Sequence, residues 1–198
     1  LVNTERQDRD PFRLLKLTYV GEGDTVHDRW AFTRERLQQI VNAVRSGPPR
    51  LGPAGEQRAI LFLTAAYTGL HAREAGAVRK QDFTAGMAQV KVAGTFCKNK
   101  QDALQPVPSF LRPILAAYVA NLQDGDFLFS GGWQQVGGKW RTAGRVKGKS
   151  AGEMPRFDAA KLGIVIGRKG KGRNKRVLYF YSLRHFYGTV CDQAGISD

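Results

Sequence analysis

The hydrophobic period of this chain changes twice, and that change bounds the fold more tightly than any single residue. From Glu56 to Tyr67, the residues Ile60, Leu63, Ala66 and Tyr67 fall at helical i, i+3 spacing, and Leu61, Phe62 and Ala65 widen the buried face. Between Met87 and Val107 the pattern turns to alternation. Gln89, Val90, Lys91 and Val92, then Thr95 and Phe96, read as strand, and Leu104 to Val107 as its return. The polar run from Cys97 to Asp102 supplies the turn. Helical spacing resumes after Ser109, a cap for Phe110, Ile114, Leu115, Tyr118, Val119 and Leu122. Helices on both sides of one hairpin predict an α+β fold: a mostly helical core with a small antiparallel β-sheet whose tip is basic.

Punctuation residues set the remaining elements. Thr33 is an N-cap for a helix carrying Leu37, Ile40, Val41 and Val44, and Gly47, Pro48 and Pro49 end it. Thr68, Gly69 and Leu70 break the second helix, and a short one follows from about His71 or Ala72 to Val78. Phe127, Leu128 and Phe129 form a short apolar piece. A helix is expected around Arg156 to Leu162, an extended stretch from Val177 to Phe180, and a last helix from Ser182 carrying Leu183, Phe186, Tyr187, Val190 and Cys191. Residues 1–30 show no clear periodicity and read as a linker or lead-in segment to one domain over 31–198.

The net charge of +14 on 198 residues narrows the partners. Such a balance favours a polyanion: DNA, RNA or an acidic membrane surface. The charge concentrates between Lys139 and Arg176, where thirteen Lys or Arg face only Glu153 and Asp158, a balance of +11. Lys139, Arg141, Arg145, Lys147, Lys149, Arg168, Lys169, Lys171, Arg173 and Lys175 are candidates to grip a phosphate backbone. The glycines among them also suit a solubilising loop, and the two readings are compatible because basic loops often order on nucleic acid. Two cysteines far apart, Cys97 and Cys191, and three scattered histidines argue against a disulfide scaffold or a structural metal site. No run approaches the ~20 apolar residues of a membrane span, and Leu1 to Arg6 has no signal-peptide core. A soluble cytoplasmic chain, associated with DNA and not with a membrane, is the expectation.

Three segments carry chemistry together: Thr68-Gly69-Leu70-His71-Ala72-Arg73-Glu74, then Lys98 and Lys100 on the hairpin, then Tyr181-Ser182-Leu183-Arg184-His185 opening the last helix. In this order and spacing they resemble the tyrosine recombinase, or phage integrase, family over roughly Ala31 to Asp198. That family has Thr-Gly-Leu-Arg-x-x-Glu at a helix start, a lysine on a β-hairpin, and His-x-Leu-Arg-His opening a later helix. The resemblance implies a catalytic domain that cuts and rejoins duplex DNA at specific sites through a phosphotyrosyl intermediate, as part of a mobile element. It implies no metal or nucleotide cofactor, because the intermediate keeps the bond energy, and assembly as a tetramer on DNA.

Residue by residue, Arg184 matches the second arginine, whose forked donors suit the charged phosphoryl oxygens of the transition state. Lys98 matches the hairpin lysine, a general acid toward the leaving oxygen, with Lys100 as the alternative. Glu74 matches the carboxylate supporting the first arginine, and His185 the histidine after the second. Two positions depart. His71 stands where the first arginine belongs; an imidazole lacks the bidentate fork. Arg73 could substitute, although two helical steps turn it by roughly 200° from His71. Tyr181 stands at the first histidine of His-x-Leu-Arg, or packs with Tyr179 and Phe180. None of Tyr19, Tyr67, Tyr118, Tyr179, Tyr181 or Tyr187 holds the nucleophile's place, so the resemblance puts it beyond Asp198, in a catalytic domain incomplete at its C-terminus. Two other readings stand beside this one. One is a relative that binds DNA without cutting it. The other is a basic RNA-binding protein, with Trp133 and Trp140 as stacking residues.

Overall fold

The computed structural model describes residues 31–50, 52–123, 125–129, 133–136, 139–142, 144, 148–164 and 179–195. Helix α1 (Arg34–Arg45) starts where the Arg36 N–H donates to the Thr33 hydroxyl at 3.3 Å. It buries Leu37, Ile40, Val41 and Val44, the stripe that its spacing predicts. Helix α2 (Gly55–Thr68) is central, with eleven of its fourteen residues buried. A helix apolar all round needs neighbours on several sides, and α1 and the last helix, α6 (Phe180–Gln193), supply them. The Thr64 and Thr68 hydroxyls, fully buried, donate to the Ile60 and Thr64 carbonyls at 2.8 and 2.6 Å, so no polar group of theirs is stranded.

Gly69 ends α2 in the left-handed conformation at φ 69° and ψ 10°, its N–H returning to the Ala65 carbonyl. A Cβ there would lie 2.6 Å from Tyr187 Cδ1. The chain then enters α3 (Ala72–Ala75), which is shorter than the spacing predicts. The reason lies downstream: Val78 and Arg79 pair with the Phe127–Leu128 segment. The Leu128 N–H donates to the Val78 carbonyl at 2.8 Å, and Arg79 covers the Phe127 ring at 4.0 Å. A backbone committed to that pairing cannot continue a helix.

Strands β1 (Gln89–Val92) and β2 (Ala103–Pro106) form the expected antiparallel hairpin, from Gln89 opposite Pro106 to Val92 opposite Ala103. Thr95 and Phe96, expected in the strand, belong to the turn, where the Phe96 N–H donates to the Ala93 carbonyl at 2.9 Å. Helix α4 (Arg112–Val119) starts three residues after Ser109, with Pro113 in its first turn, where a missing N–H costs nothing. The basic stretch holds more structure than its glycines suggest: a second hairpin, β3 (Trp133–Val136) with β4 (Lys139–Thr142), and helix α5 (Gly148–Lys161). Helix α5 runs through Pro155 instead of starting after it. Met154 is fully buried one residue earlier, and that burial offsets the lost hydrogen bond. Helix α6 begins at Phe180, which is helical and not extended, two residues before Ser182. Ser182 caps from inside the first turn, its Oγ accepting the Tyr179 N–H at 3.3 Å. No helix among the described residues is long and apolar enough to cross a membrane.

One buried ion pair ties α2 to α5. Arg58 Nε donates to Asp158 Oδ2 at 2.9 Å, with both side chains 3% exposed or less. Arg58 Nη1 also donates to the Pro48 and Pro53 carbonyls at 2.8 and 3.0 Å. Removing one partner strands a buried charge, so Asp158→Ala is expected to cost about 3–5 kcal/mol in denaturant unfolding; a loss below about 1 kcal/mol would refute the pair's role. Gly69→Ala combines a left-handed L-residue with a clash against Tyr187 and is expected to cost about 2–4 kcal/mol. Gly86, at φ 65° with open space around it, is the control. Its alanine variant should lose only about 1 kcal/mol, and equal losses at both positions would show that Tyr187 plays no part.

Candidate active site

The C-terminal end of α2 is where the chemistry-bearing residues meet. Arg184 Nη1 donates to the Gly69 carbonyl at 2.9 Å, across 115 positions of sequence. That bond holds one arm of an otherwise exposed guanidinium and orients its remaining donors. Two residues on from Gly69, the His71 N–H donates to Glu74 Oε2 at 2.8 Å, so the buried Glu74 carboxylate closes the first turn of α3. Glu74 therefore braces the backbone that carries His71.

On α6, Tyr181, Arg184 and His185 share a face, as their i, i+3, i+4 spacing requires. The Tyr181 ring lies 5.9 Å from His71 and 4.7 Å from His185, edge-on to the latter, and stacks with Tyr179 at 6.2 Å. Tyr181 thus joins the two imidazoles as well as its tyrosine neighbour. Lys98 and Lys100 lie exposed on the β1–β2 turn, with Lys100 at φ 58°. Arg73 points toward that turn, its Nη2 donating to the Thr95 carbonyl at 3.0 Å.

The charges around His71 act on its imidazole. Burial holds the His71 imidazole below its ordinary value of 6.5. The Arg184 guanidinium pushes it the same way, Glu74 opposes, and the Lys98 ammonium adds to the depression. The His71 imidazole thus feels Glu74, Lys98 and Arg184, groups that come from three separate segments. Together they offer an imidazole held toward neutrality, a forked cation and an exposed ammonium on the nearby turn, a set suited to a phosphate oxygen.

Thr68, Gly69, Gln105, Arg184, Tyr187 and Asp192 line a cleft of about 300 Å³ on the same side of α6. Gln105 and Asp192 carry no motif and escape sequence reading; only the packing of β2 and α6 on the end of α2 brings them here. Of the basic stretch, Lys139 and Arg141 fall on β4 and Lys149 in α5. Arg145, Lys147, Arg168, Lys169, Lys171, Arg173 and Lys175 lie outside the described residues.

The lowered pKa of His71 has a consequence for stability. As pH falls through about 6.5, the unfolded chain takes up a proton on His71 before the folded one does. Stability falls across that window until the folded imidazole also protonates. His71→Gln should flatten the decline in unfolding midpoint between roughly pH 7 and 5.5; an identical pH slope in both proteins would contradict this assignment.

No family model and no curated protein sequence matches this chain. Solved structures do. It superposes on the XerA recombinase with a TM-score of 0.57 at 16% identity, over 85% of this chain and 51% of that one. On the XerH site-specific recombinase bound to palindromic difH substrate, the TM-score is 0.55 at 14% identity, over 84% and 43%. On the Tn1549 transposon integrase in complex with a circular intermediate DNA, it is 0.58 at 13% identity, over 98% and 63%. The chain thus spans between 43% and 63% of the length of these three structures. The fold, a helical body with a small antiparallel hairpin, is that of a recombinase or integrase catalytic domain.

Proposed function

We propose that this chain is the catalytic domain of a site-specific tyrosine-type DNA recombinase. The observation that carries the reading is the meeting of Arg184 with the Gly69 carbonyl at the end of α2, beside His71 and Glu74. The shared fold with XerA, XerH and the Tn1549 integrase supports it. In the proposed reaction a tyrosine hydroxyl gives up its proton to water as its oxygen attacks a DNA phosphorus, the P–O bond to the 5′ oxygen breaks, and a phosphotyrosyl link forms. Lys98 delivers its proton to the departing 5′ oxygen. Arg184 holds the phosphoryl oxygens through the donors that Gly69 leaves available, and neutral His71 donates to the same oxygens. Tyr181 packs beside the imidazole and sets its orientation, and His185 packs edge-on against Tyr181. The nucleophile is a tyrosine other than the six in this sequence. Duplex DNA is the partner, with self-association on it, and the basic stretch from Lys139 to Arg176 adds affinity that does not depend on sequence.

A second reading has an observation of its own. His71 lacks the guanidinium fork and is held toward neutrality, which weakens the charge available to the transition state. A chain that binds DNA without cutting it fits that feature.

The test is a nicked suicide duplex carrying the element's own recombination site, incubated with the intact protein and resolved on a denaturing gel. A protein–DNA adduct is expected, and Arg184→Ala should lower its rate of formation by about 10²–10³-fold. Duplex binding with no adduct would reject the recombinase in favour of the binding protein. Preferential binding of single-stranded RNA would reject both.

A further inference from the structure

We propose that Arg73 is a positioning residue, clamping the β1–β2 turn against α3 and so fixing where Lys98 stands relative to His71 and Glu74. The inference rests on the recombinase reading for the role of Lys98, but the clamp itself is a matter of geometry. Arg73 lies inside α3, two residues on from His71, the extended residue that caps the helix, and its side chain reaches across to the β1–β2 turn. There its Nη2 donates to the Thr95 carbonyl at 3.0 Å, and its guanidinium carbon lies 5.9 Å from the centre of the Phe96 ring. Thr95 and Phe96 immediately precede Cys97 and Lys98, so the contact falls on the limb of the turn that carries the lysine.

The turn is closed at its own base, which is why a single tether can orient it. Asp102 Oδ1 accepts the Gly94 N–H at 2.8 Å, and Oδ2 pairs with Lys91 at 3.0 Å. Backbone bonds from Phe96 to Ala93, from Cys97 to Gly94 and from Lys100 to Cys97 wind the intervening residues. The two limbs touch: a Cβ on Gly94 would lie 2.5 Å from the Lys100 carbonyl oxygen. A turn tied at its base moves largely as one body about β1 and β2. The Arg73 contact joins that body to α3, the helix that carries His71 and Glu74. Holding a long lysine in place before the substrate arrives removes part of the ordering that reaction would otherwise require.

Cys97 reports on the clamp without DNA. It is half-buried beside Lys98, its Sγ 3.9 Å from the Val92 carbonyl, and burial with the carboxylates of Glu74 and Asp102 pushes its thiol up. Opening the turn exposes the thiol and favours its reactive thiolate. In a Cys191→Ser background, Arg73→Ala is expected to raise the rate of iodoacetamide alkylation of Cys97 about fivefold. Arg73→Lys, which keeps one donor, should restore part of the protection, and the melting temperature should change little because Arg73 is exposed. Unchanged alkylation in Arg73→Ala would overturn the clamp.

The second arm reads adduct formation on the suicide duplex. Arg73→Ala should slow it about tenfold when Lys98 is present and cause no further loss in Lys98→Ala. Losses that add would overturn the positioning role, because Arg73 would then act on DNA by itself. Faster alkylation with no adduct from any variant would reject the recombinase reading and leave the clamp standing.

Discussion

Gly69 is the joint on which the site depends. It stops α2 in a left-handed conformation, lies beneath the Tyr187 ring with no room for a Cβ, and offers its carbonyl to Arg184. Each of these needs the other two. The close approach of α6 sets the height of Arg184 above the helix end, and the reversal of the backbone turns the carbonyl toward it. The same reversal delivers His71 to the start of α3, where Glu74 captures its N–H. Because α2 is buried along nearly its whole length, the position of its end is set by the core and not by the site.

The site gathers positive charge, and its neighbours manage the cost. Arg184 and Lys98 both disfavour a charge on His71, and Glu74, a buried carboxylate that bonds to the His71 backbone, opposes them. The imidazole between them is the group that yields: burial and two cations favour its neutral form. A first arginine at that position would stay charged and require more compensation. The Arg58–Asp158 pair obeys the same rule deeper in the molecule, where each charge is tolerated because the other is there.

Much of the fold is legible in the residue order because the rules that govern it are local. Thr33 caps α1, the stripe from Leu37 to Val44 faces inward, and β1 and β2 pair across the polar turn, all as spacing dictates. Local rules fail where a distant segment overrides them. Helix α3 stops early because Val78 and Arg79 pair with Phe127 and Leu128, and α5 crosses Pro155 because Met154 and Asp158 are anchored in the core. Ser182, where the spacing starts the last helix, caps from inside it because burial of Phe180 draws the start back two residues. In the site, His71, Glu74, Lys98 and Arg184 are legible as a pattern, whereas Gln105, Asp192 and the contact between Gly69 and Tyr187 are not.

The sequence by itself determined which residue types are present and at what intervals: a mostly helical body with the β1–β2 hairpin in it, a strongly basic chain, and three motifs whose side chains suit a phosphate, while the second hairpin escaped it. Periodicity, capping and charge are properties of neighbours in the chain, so they can be read without coordinates. Only the tertiary structure decided that these motifs converge on the end of α2. Only there does Arg184 bond to Gly69, and only there does Arg73 turn away from His71 to hold the loop that carries Lys98. Those outcomes depend on how α6 packs against α2 and how the turn meets α3, and packing is a property of surfaces brought together from far along the chain.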